Sequence, residues 1–406
     1  MTTADDSPAA RPDPGPGTAM RRANARDCVL TLRTASGALT IGELSTATGL
    51  SRPTVESVLQ DLVAAGTISP APTADAGRRG RPARRFTLDP DAATVAALDL
   101  GERTVSCLLT DALGTVLARS TVEVESGDHL AAIGRAIERT GSRPDVVGLA
   151  VPGILAADGR VTRSLALDDL VGRDLAAEVT QQMNCSVVVE NDIKLAALAE
   201  RHLGPPANSI AYLQIGHRLS VALIVDGVIL QGSHRLAGEL GSQRGMRWTS
   251  TSQRGRLTWS TGDEAKPLLE RAAAGEEIAR REVEDFCAEI APRLATVALT
   301  VDPELVVVGG GLSRAGETLL DPLRRSLQHL LMTPEHPEVV AARLTTDGSL
   351  IGALGRAFEH GSARVAGVPG VPAPWPRFLA TPTPSATAPS AAAPDAAAST
   401  ASSSRT

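Results

Sequence analysis

Two groups of side chains in this sequence carry the chemistry of recognition. The first is the run Gly77-Arg78-Arg79-Gly80-Arg81-Pro82, where guanidinium groups alternate with residues that keep the backbone extended and narrow. Such a tip suits a minor groove, whose negative potential attracts guanidinium. Upstream, Arg52, Thr54 and Ser57 fall in the first turns of an apolar-periodic segment, where a helix presents side chains to a major groove. The second group is Asn191-Asp192, where an amide and a carboxylate stand side by side. A carboxylate in a cleft accepts a hydroxyl proton when it lies within hydrogen-bond reach. Asn191 and Asp192 also stand before an apolar run, where both residue types are good helix N-caps; the two roles are compatible. Cys28, Cys107, Cys185 and Cys287 are far apart and form no C-x-x-C pair, which argues against a disulfide framework and a cysteine zinc site; they read as small core residues.

The elements that must position the first group follow from the local signals. A helix is predicted over 21–35, ending before Gly37. Thr40 with Glu43 three residues on is a capping box that opens a second helix, and Thr48-Gly49-Leu50 makes the turn after it. Ser51 caps a third helix with Pro53 in its first turn, and Val55, Val58, Leu59 and Leu62 recur at i, i+3, i+4 and i+7. Gly66 stops it, and residues 67–69 and 84–88 can pair as a hairpin with the arginine run at its tip. In this order the features predict a winged helix-turn-helix that binds double-stranded DNA, with an RNA- or protein-binding winged helix as the runner-up. Charge supports DNA. The whole chain carries -6, yet from 21 to 89 ten Arg stand against six Asp and Glu, about +4.

Beyond residue 90 the pattern changes. Short β-branched runs at 94–100, 104–110, 146–151, 186–190, 210–215, 219–225 and 305–308 alternate with amphipathic segments, which predicts an α/β architecture. With 43% apolar and 21% charged residues the chain can bury a sizeable core. Residues 1–18 and the Ala/Pro/Ser/Thr-rich stretch from about 363 are expected to be disordered. No apolar run is long enough for a membrane span and the N-terminus lacks a signal-peptide core, so a cytoplasmic protein is expected.

Successive motifs then resemble those of the ROK family of repressors and sugar kinases. They are Asp99-Leu100-Gly101, Val151-Pro152-Gly153, Val189-Glu190-Asn191-Asp192 followed by Leu195-Ala196-Ala197-Leu198-Ala199-Glu200, Ala237-Gly238-Glu239-Leu240-Gly241, and Val308-Gly309-Gly310-Gly311-Leu312-Ser313. The resemblance covers about 93–360, and the segment before it matches the repressor branch. It implies a two-lobed actin-like (ribonuclease-H-like) ATPase fold with nucleotide and sugar meeting between the lobes. In a family kinase the Asp aligned with Asp192 is the general base on the sugar hydroxyl and the neighbouring Asn orients the sugar.

The phosphate-binding elements depart from the family pattern. Glu102 and Arg103 stand where kinases carry Gly and Thr, and Gly216-His217-Arg218-Leu219-Ser220 replaces a Gly-Thr-Gly-x-Gly loop. Backbone approach to phosphate needs small residues, and a carboxylate repels a polyanion. Ser242 replaces the zinc-ligating His, residues 243–262 contain no Cys or His, and Ala166 stands where many members have a sugar-contacting Asn. The intact Gly309-Gly310-Gly311 is read as a tight strand-to-helix turn.

The reading is therefore a disordered segment at 1–18, a winged helix-turn-helix at 19–90, a ROK kinase-like domain at 91–361 and a disordered tail at 362–406. Its expected function is transcriptional regulation, as a repressor. DNA contacts are expected from Arg52, Thr54, Ser57, Arg78, Arg79 and Arg81, and sugar-like effector contacts from Asn191, Asp192 and Glu239. A homodimer is expected, with the long helix at 276–300 as the dimer element. The chain is expected not to be an enzyme, to have no catalytic residue, and to bind no metal or cofactor. An active sugar kinase with an accessory DNA-binding unit, and a ligand-free dimerisation module, are the alternatives.

Overall fold

The computed structural model describes residues 16–71, 83–243, 245, 247–252 and 256–379. Its N-terminal part comprises α1 (Pro16–Thr34), β1 (Leu39–Thr40), α2 (Ile41–Thr48), α3 (Arg52–Ala64), β2 (Ile68–Ala71) and β3 (Arg85–Leu88). The helix starts have local causes. The Thr40 hydroxyl accepts from the Glu43 N–H (3.2 Å) while the Glu43 carboxylate accepts from the Thr40 N–H (2.7 Å), so two otherwise unpaired groups satisfy each other. Gly49 ends α2 at φ 74, a left-handed conformation that costs glycine nothing. Val55, Val58, Leu59 and Leu62 of α3 bury against Cys28, Val29 and Leu32 of α1 and Leu44 of α2. β1, β3 and β2 form an antiparallel sheet in that order, with Leu39 opposite Phe86 and Ile68 opposite Leu88. The first helix starts before residue 21 and takes in 16–18, expected to be disordered; β1, two residues long, has no periodicity to read.

The rest of the chain folds as two sheets of like topology. In the first lobe are β4 (Val95–Leu100), β5 (Thr104–Thr110), β6 (Val116–Glu123), α4 (His129–Glu138), β7 (Val146–Val151), the hairpin β8 (Ile154–Leu155) and β9 (Val161–Arg163), α5 (Leu175–Met183) and β10 (Ser186–Asn191). Then α6 (Asp192–Leu203) leads to the second lobe, with β11 (Ile210–Ile215), β12 (Leu219–Val225), β13 (Val228–Ile229), α7 (Lys266–Ala273), α8 (Glu277–Val301), β14 (Leu305–Gly309), α9 (Glu317–Leu330) and β15 (Glu338–Ala341). Helix α10 (Gly348–His360) and the short α11 (Ser362–Val365) follow.

Strand order is β10-β7-β4-β5-β6 in one sheet and β13-β12-β11-β14-β15 in the other. In each, an antiparallel meander is flanked on one side by two parallel strands, whose crossovers require helices. Helices α6 and α10 pack on each other between the sheets, and their small residues permit it: a methyl group on Gly352 would collide with the Leu195 carbonyl. All four cysteines are buried and unpaired. No helix among the described residues is long and apolar enough to cross a membrane.

The chain does not lose its structure at 363. Residues 362–379 run back over the molecule, burying Val365, Trp375 and Phe378 in the core around α10 and Ala366, Val368 and Val371 in the core of the N-terminal helices. Average composition misled here, because a few widely spaced apolar side chains suffice to anchor a strap when each finds a pocket.

Candidate functional site

A cavity of about 170 Å³ opens between the lobes, lined by Pro152, Gly153, Arg163, Ala166, Asn191, Asp192, Arg218, Ser220, Glu239, Ser242 and Trp248 among others. It thus brings together the three residues singled out as ligand contacts, from two lobes and from positions 48 residues apart in the chain (239 − 191). The ends of β7 and β10, adjacent and parallel, deliver Pro152 and Asn191 to one edge. Opposite them lies the start of β12, against which Gly238 sits so tightly that a methyl there would strike the Val221 carbonyl; this fixes the neighbouring Glu239.

Asn191 is the N-cap of α6. Its Oδ1 accepts from the Lys194 N–H and its Nδ2 donates to the Gly153 carbonyl, both at 2.9 Å. Asp192 follows in the first turn. Burial pushes its carboxyl up to about 7, the charges of Asp99 and Glu239 push the same way, and the N–H groups of Ile193 and Asp192 partly oppose them. Asp99, whose carboxylate accepts from the Ser349 hydroxyl (2.8 Å), is itself raised to about 6, chiefly by burial. Glu239 is raised by burial and held back by Lys194. Asp192, on the cavity wall, and Asp99 behind it are therefore carboxyl groups poised to exchange protons near neutrality, the condition a general base or a donor to a hydroxyl oxygen needs.

Beneath them runs a polar network that the sequence reading missed. Lys194, only 3% exposed, donates from Nζ to Gln231 Oε1 (2.8 Å) and the Arg235 carbonyl (3.3 Å). Glu190 accepts from Gln231 Nε2 (2.7 Å) and Arg235 Nη2 (2.8 Å). A lysine inside an otherwise apolar helix, Ile193-Lys194-Leu195-Ala196-Ala197, was the available signal. Glu200, 1% exposed, serves elsewhere: its two oxygens accept the N–H groups of Arg343 (3.1 Å) and Leu344 (2.7 Å), anchoring the loop that leads to α10.

At the cleft mouth the turns after β4 and β11 meet. Glu102 from the first lobe pairs with Arg256 of the second (2.6 Å) and lies 3.9 Å from Arg218, while Arg218 Nη2 donates to the Leu165 carbonyl (3.3 Å). Buried His129 steadies the Glu102 turn by bridging Asp169 (2.7 Å) and the Gly101 carbonyl (3.1 Å). The segment after Ser242 offers no thiolate or imidazole for zinc, so its donor set does not fit that ion. It is held instead by buried Trp248 and by two carboxylates of α8: Glu289 accepts the Ser250 N–H and hydroxyl (both 2.7 Å), and Glu282 accepts the Ser260 N–H (2.7 Å) and hydroxyl (2.5 Å).

On the N-terminal part, Arg52 and Ser57 are exposed on α3, whereas Thr54 is half-buried with its hydroxyl 2.7 Å from that of Ser51. Arg78, Arg79 and Arg81 lie outside the described residues.

Comparison with known proteins places this geometry. The model of the ROK family matches residues 95–247 and 242–358. The bifunctional enzyme NanE/NanK of Brucella suis biovar 1 (strain 1330) is 29% identical over 215 residues, which are 48% of this chain and 40% of that protein; the chain thus matches less than half the length of that relative. The N-acetyl-D-glucosamine kinase of Yersinia pseudotuberculosis serotype O:1b (strain IP 31758) is 28% identical over 53% of this chain and 79% of its own. Among solved structures, a ROK family transcriptional regulator, a homolog of the E. coli MLC protein, covers 86% of this chain and 99% of its own at TM-score 0.66 and 18% identity. A ROK family glucokinase from Streptomyces griseus, solved with glucose and AMPPNP, covers 65% and 99% at TM-score 0.56 and 23% identity. These two likenesses establish the fold. The curated relatives correct one expectation: a chain expected to be no enzyme has relatives named as an N-acetyl-D-glucosamine kinase and an N-acetylgalactosamine kinase, which point to an enzyme.

Proposed function

The chain belongs to the ROK family, and on that premise we propose that it is a DNA-binding transcriptional regulator, a repressor, whose interlobe cleft senses a sugar. In this reading 19–90 is a winged helix-turn-helix and 91–361 the effector and dimerisation unit, with α8 as the dimer element. The observation that carries it is the pair α2 and α3, joined through left-handed Gly49, with Arg52 and Ser57 exposed at the start of α3 ahead of the ROK region. A helix so presented enters a major groove by its N-terminal residues. The likeness to the solved regulator extends over more of this chain than the likeness to the glucokinase, which supports the same reading. The test is selection of genomic binding sites, then fluorescence anisotropy on a selected and a scrambled duplex, with and without N-acetylglucosamine or glucose. A preference for the selected duplex that changes with sugar is expected; equal affinity for both duplexes refutes the reading.

A second reading is favoured by Asp192. A carboxyl raised to about 7 in a cleft, in a chain whose relatives are named as kinases, suits a general base on a sugar hydroxyl. Under it, ATP-dependent phosphorylation of a sugar would be measurable and Asp192→Asn would abolish it. The two activities can reside in one chain, because they use different surfaces.

A further inference from the structure

We propose that residues 362–379 form a two-position strap through which the interlobe cleft and α3 sense each other, with Trp375 as the side chain that couples them. The inference rests on the reading of this chain as a regulator with a ligand in its cleft, and it names how that regulation travels.

Two helices start at the cleft. Asn191 and Asp192 open α6, and in the first turn of α10 the Ser349 hydroxyl donates to Asp99, the carboxylate whose charge acts on Asp192. Gly352 of α10 lies so close to the Leu195 carbonyl of α6 that neither helix can shift without the other. Further along, both meet Trp375. His202, ten residues beyond Asp192 and about 15 Å away at about 1.5 Å per residue, stacks on the indole. A methyl on Gly355 of α10 would overlap the same ring. A tilt of the helix pair therefore displaces Trp375.

The strap carries that displacement to the N-terminal unit. Ala366, Val368 and Val371 complete the core formed by Val55, Val58, Leu59 and Leu62 of α3. Gly367, at φ 69, sits so tightly that a methyl there would strike the Thr67 hydroxyl and press on Leu62. Arg364 pins the start of the strap to the first lobe, through Asp145 (2.7 Å) and the Ala92 carbonyl (2.9 Å). The stretch from 366 to 379 is left to move, and it touches the helix pair and α3 at once.

Its seat is built from opposing terms, as an element with two positions requires. Apolar burial holds it down. Against this, Trp375 Nε1 and Arg33 Nε are buried with no partner among the described residues, and such orphaned donors are costly. Burial and the like charge of Arg377, on the strap, lower the pKa of Arg33. A void of about 10 Å³ lined by Arg33, Thr67, Val365 and Ala366 among others leaves the junction incompletely filled. Lifting the strap frees these donors to water but removes part of the core of α3. DNA therefore selects the seated strap, and a cleft ligand that tilts α6 favours the lifted one.

Amide exchange by mass spectrometry on the full chain, alone, with a selected duplex and with glucose or N-acetylglucosamine, tests this together with fluorescence anisotropy. Duplex is expected to slow exchange in residues 362–379 and in the last turn of α6, and sugar to speed it. Sugar should weaken binding of the selected duplex at least about fivefold, the low end of ordinary coupling between sites. In Trp375→Ala and His202→Ala that factor should fall toward one. Circular dichroism checks folding, and His202→Ala, which leaves the apolar contacts of the strap in place, carries the test if Trp375→Ala does not fold. A factor retained in folded His202→Ala, or strap exchange that neither duplex nor sugar alters, overturns the proposal while leaving the regulator reading in place. Slower exchange in α6 with duplex, and no effect of either sugar, supports the strap and overturns the choice of sugar. Equal affinity for selected and scrambled duplexes overturns the regulator reading, and with it the strap as a regulatory element.

Discussion

Trp375 gives the most direct test of the strap formed by residues 362–379. Its ring is 4% exposed, stacked on His202 at 4.4 Å and 8° and set edge-on to Phe378 at 5.7 Å. His202 belongs to the last turn of α6, the helix whose first turn holds Asp192. A buried Trp removes about 150–250 Å² from water, roughly 4–6 kcal/mol at about 25 cal/mol per Å². Against this, Trp375 Nε1 is buried with no partner among the described residues, a loss of about 1–3 kcal/mol. Trp375→Ala should therefore destabilise by about 2–4 kcal/mol, near the lower end of measured core Trp truncations. Trp375→Phe, which deletes the unpaired N–H and leaves a smaller void, should cost clearly less. The assay is urea unfolding followed by circular dichroism, paired with amide exchange. Val368 and Val371 share a core with Cys28, Val29 and Leu62, and Arg33 Nη1 donates to the Pro372 carbonyl (2.5 Å). Loosening the strap should therefore also raise exchange at those N-terminal amides. A Trp375→Ala chain within about 0.5 kcal/mol of the parent, with unchanged exchange in α1 and α3, would refute the reasoning, since surface substitutions alone fall in that range.

Other consequences are open to measurement. Under the proposed DNA-binding reading, in which the exposed Arg52 at the start of α3 would contact bases, Arg52→Ala should reduce discrimination between a selected duplex and scrambled DNA by anisotropy; unchanged discrimination would remove it from the interface. Replacing Arg78, Arg79 and Arg81 together by Ala should weaken binding to all duplexes and flatten the salt dependence, each lost phosphate contact removing roughly 0.9 from the slope of log K against log salt; an unchanged slope would show the segment to be no wing. Asp192 holds its proton up to about 7 in the folded chain against 3.8 for an unperturbed Asp. Between these values the folded state binds more protons than the unfolded one, so its contribution to stability is full at acid pH and is lost as pH rises through 7. Asp192→Asn should thus be more stable than the parent at pH 8, the gain shrinking toward pH 4 in urea titrations; a pH-independent difference would contradict the buried-carboxyl assignment. Thr40→Ala should cost about 0.5–2 kcal/mol by removing one half of the capping box, and no change would mean the cap is not formed in solution.

What the sequence determined by itself is mostly local. Thr40 with Glu43, Gly49, Ser51 with Pro53 and the apolar series from Val55 to Leu62 each act over one or two helical turns, so helices α2 and α3 are legible without the remainder of the chain. Buried strands announce themselves similarly, since a strand covered on both faces must be apolar along its length, as in Val146–Val151. Motif order was enough to bring Asn191, Asp192 and Glu239 into one hypothesis. Tertiary structure decided what distance in sequence conceals. It set Asp99 close enough to raise Asp192, put Lys194 and Glu190 into one network through Gln231 and Arg235, and paired Glu102 with an arginine 154 positions away. It also seated Trp375 on α6, within a stretch whose composition reads as unstructured. The reason is physical: caps and periodic faces depend on bonds a few residues long, whereas a carboxyl's pKa or a side chain's burial depends on what the folded chain brings within a few ångströms.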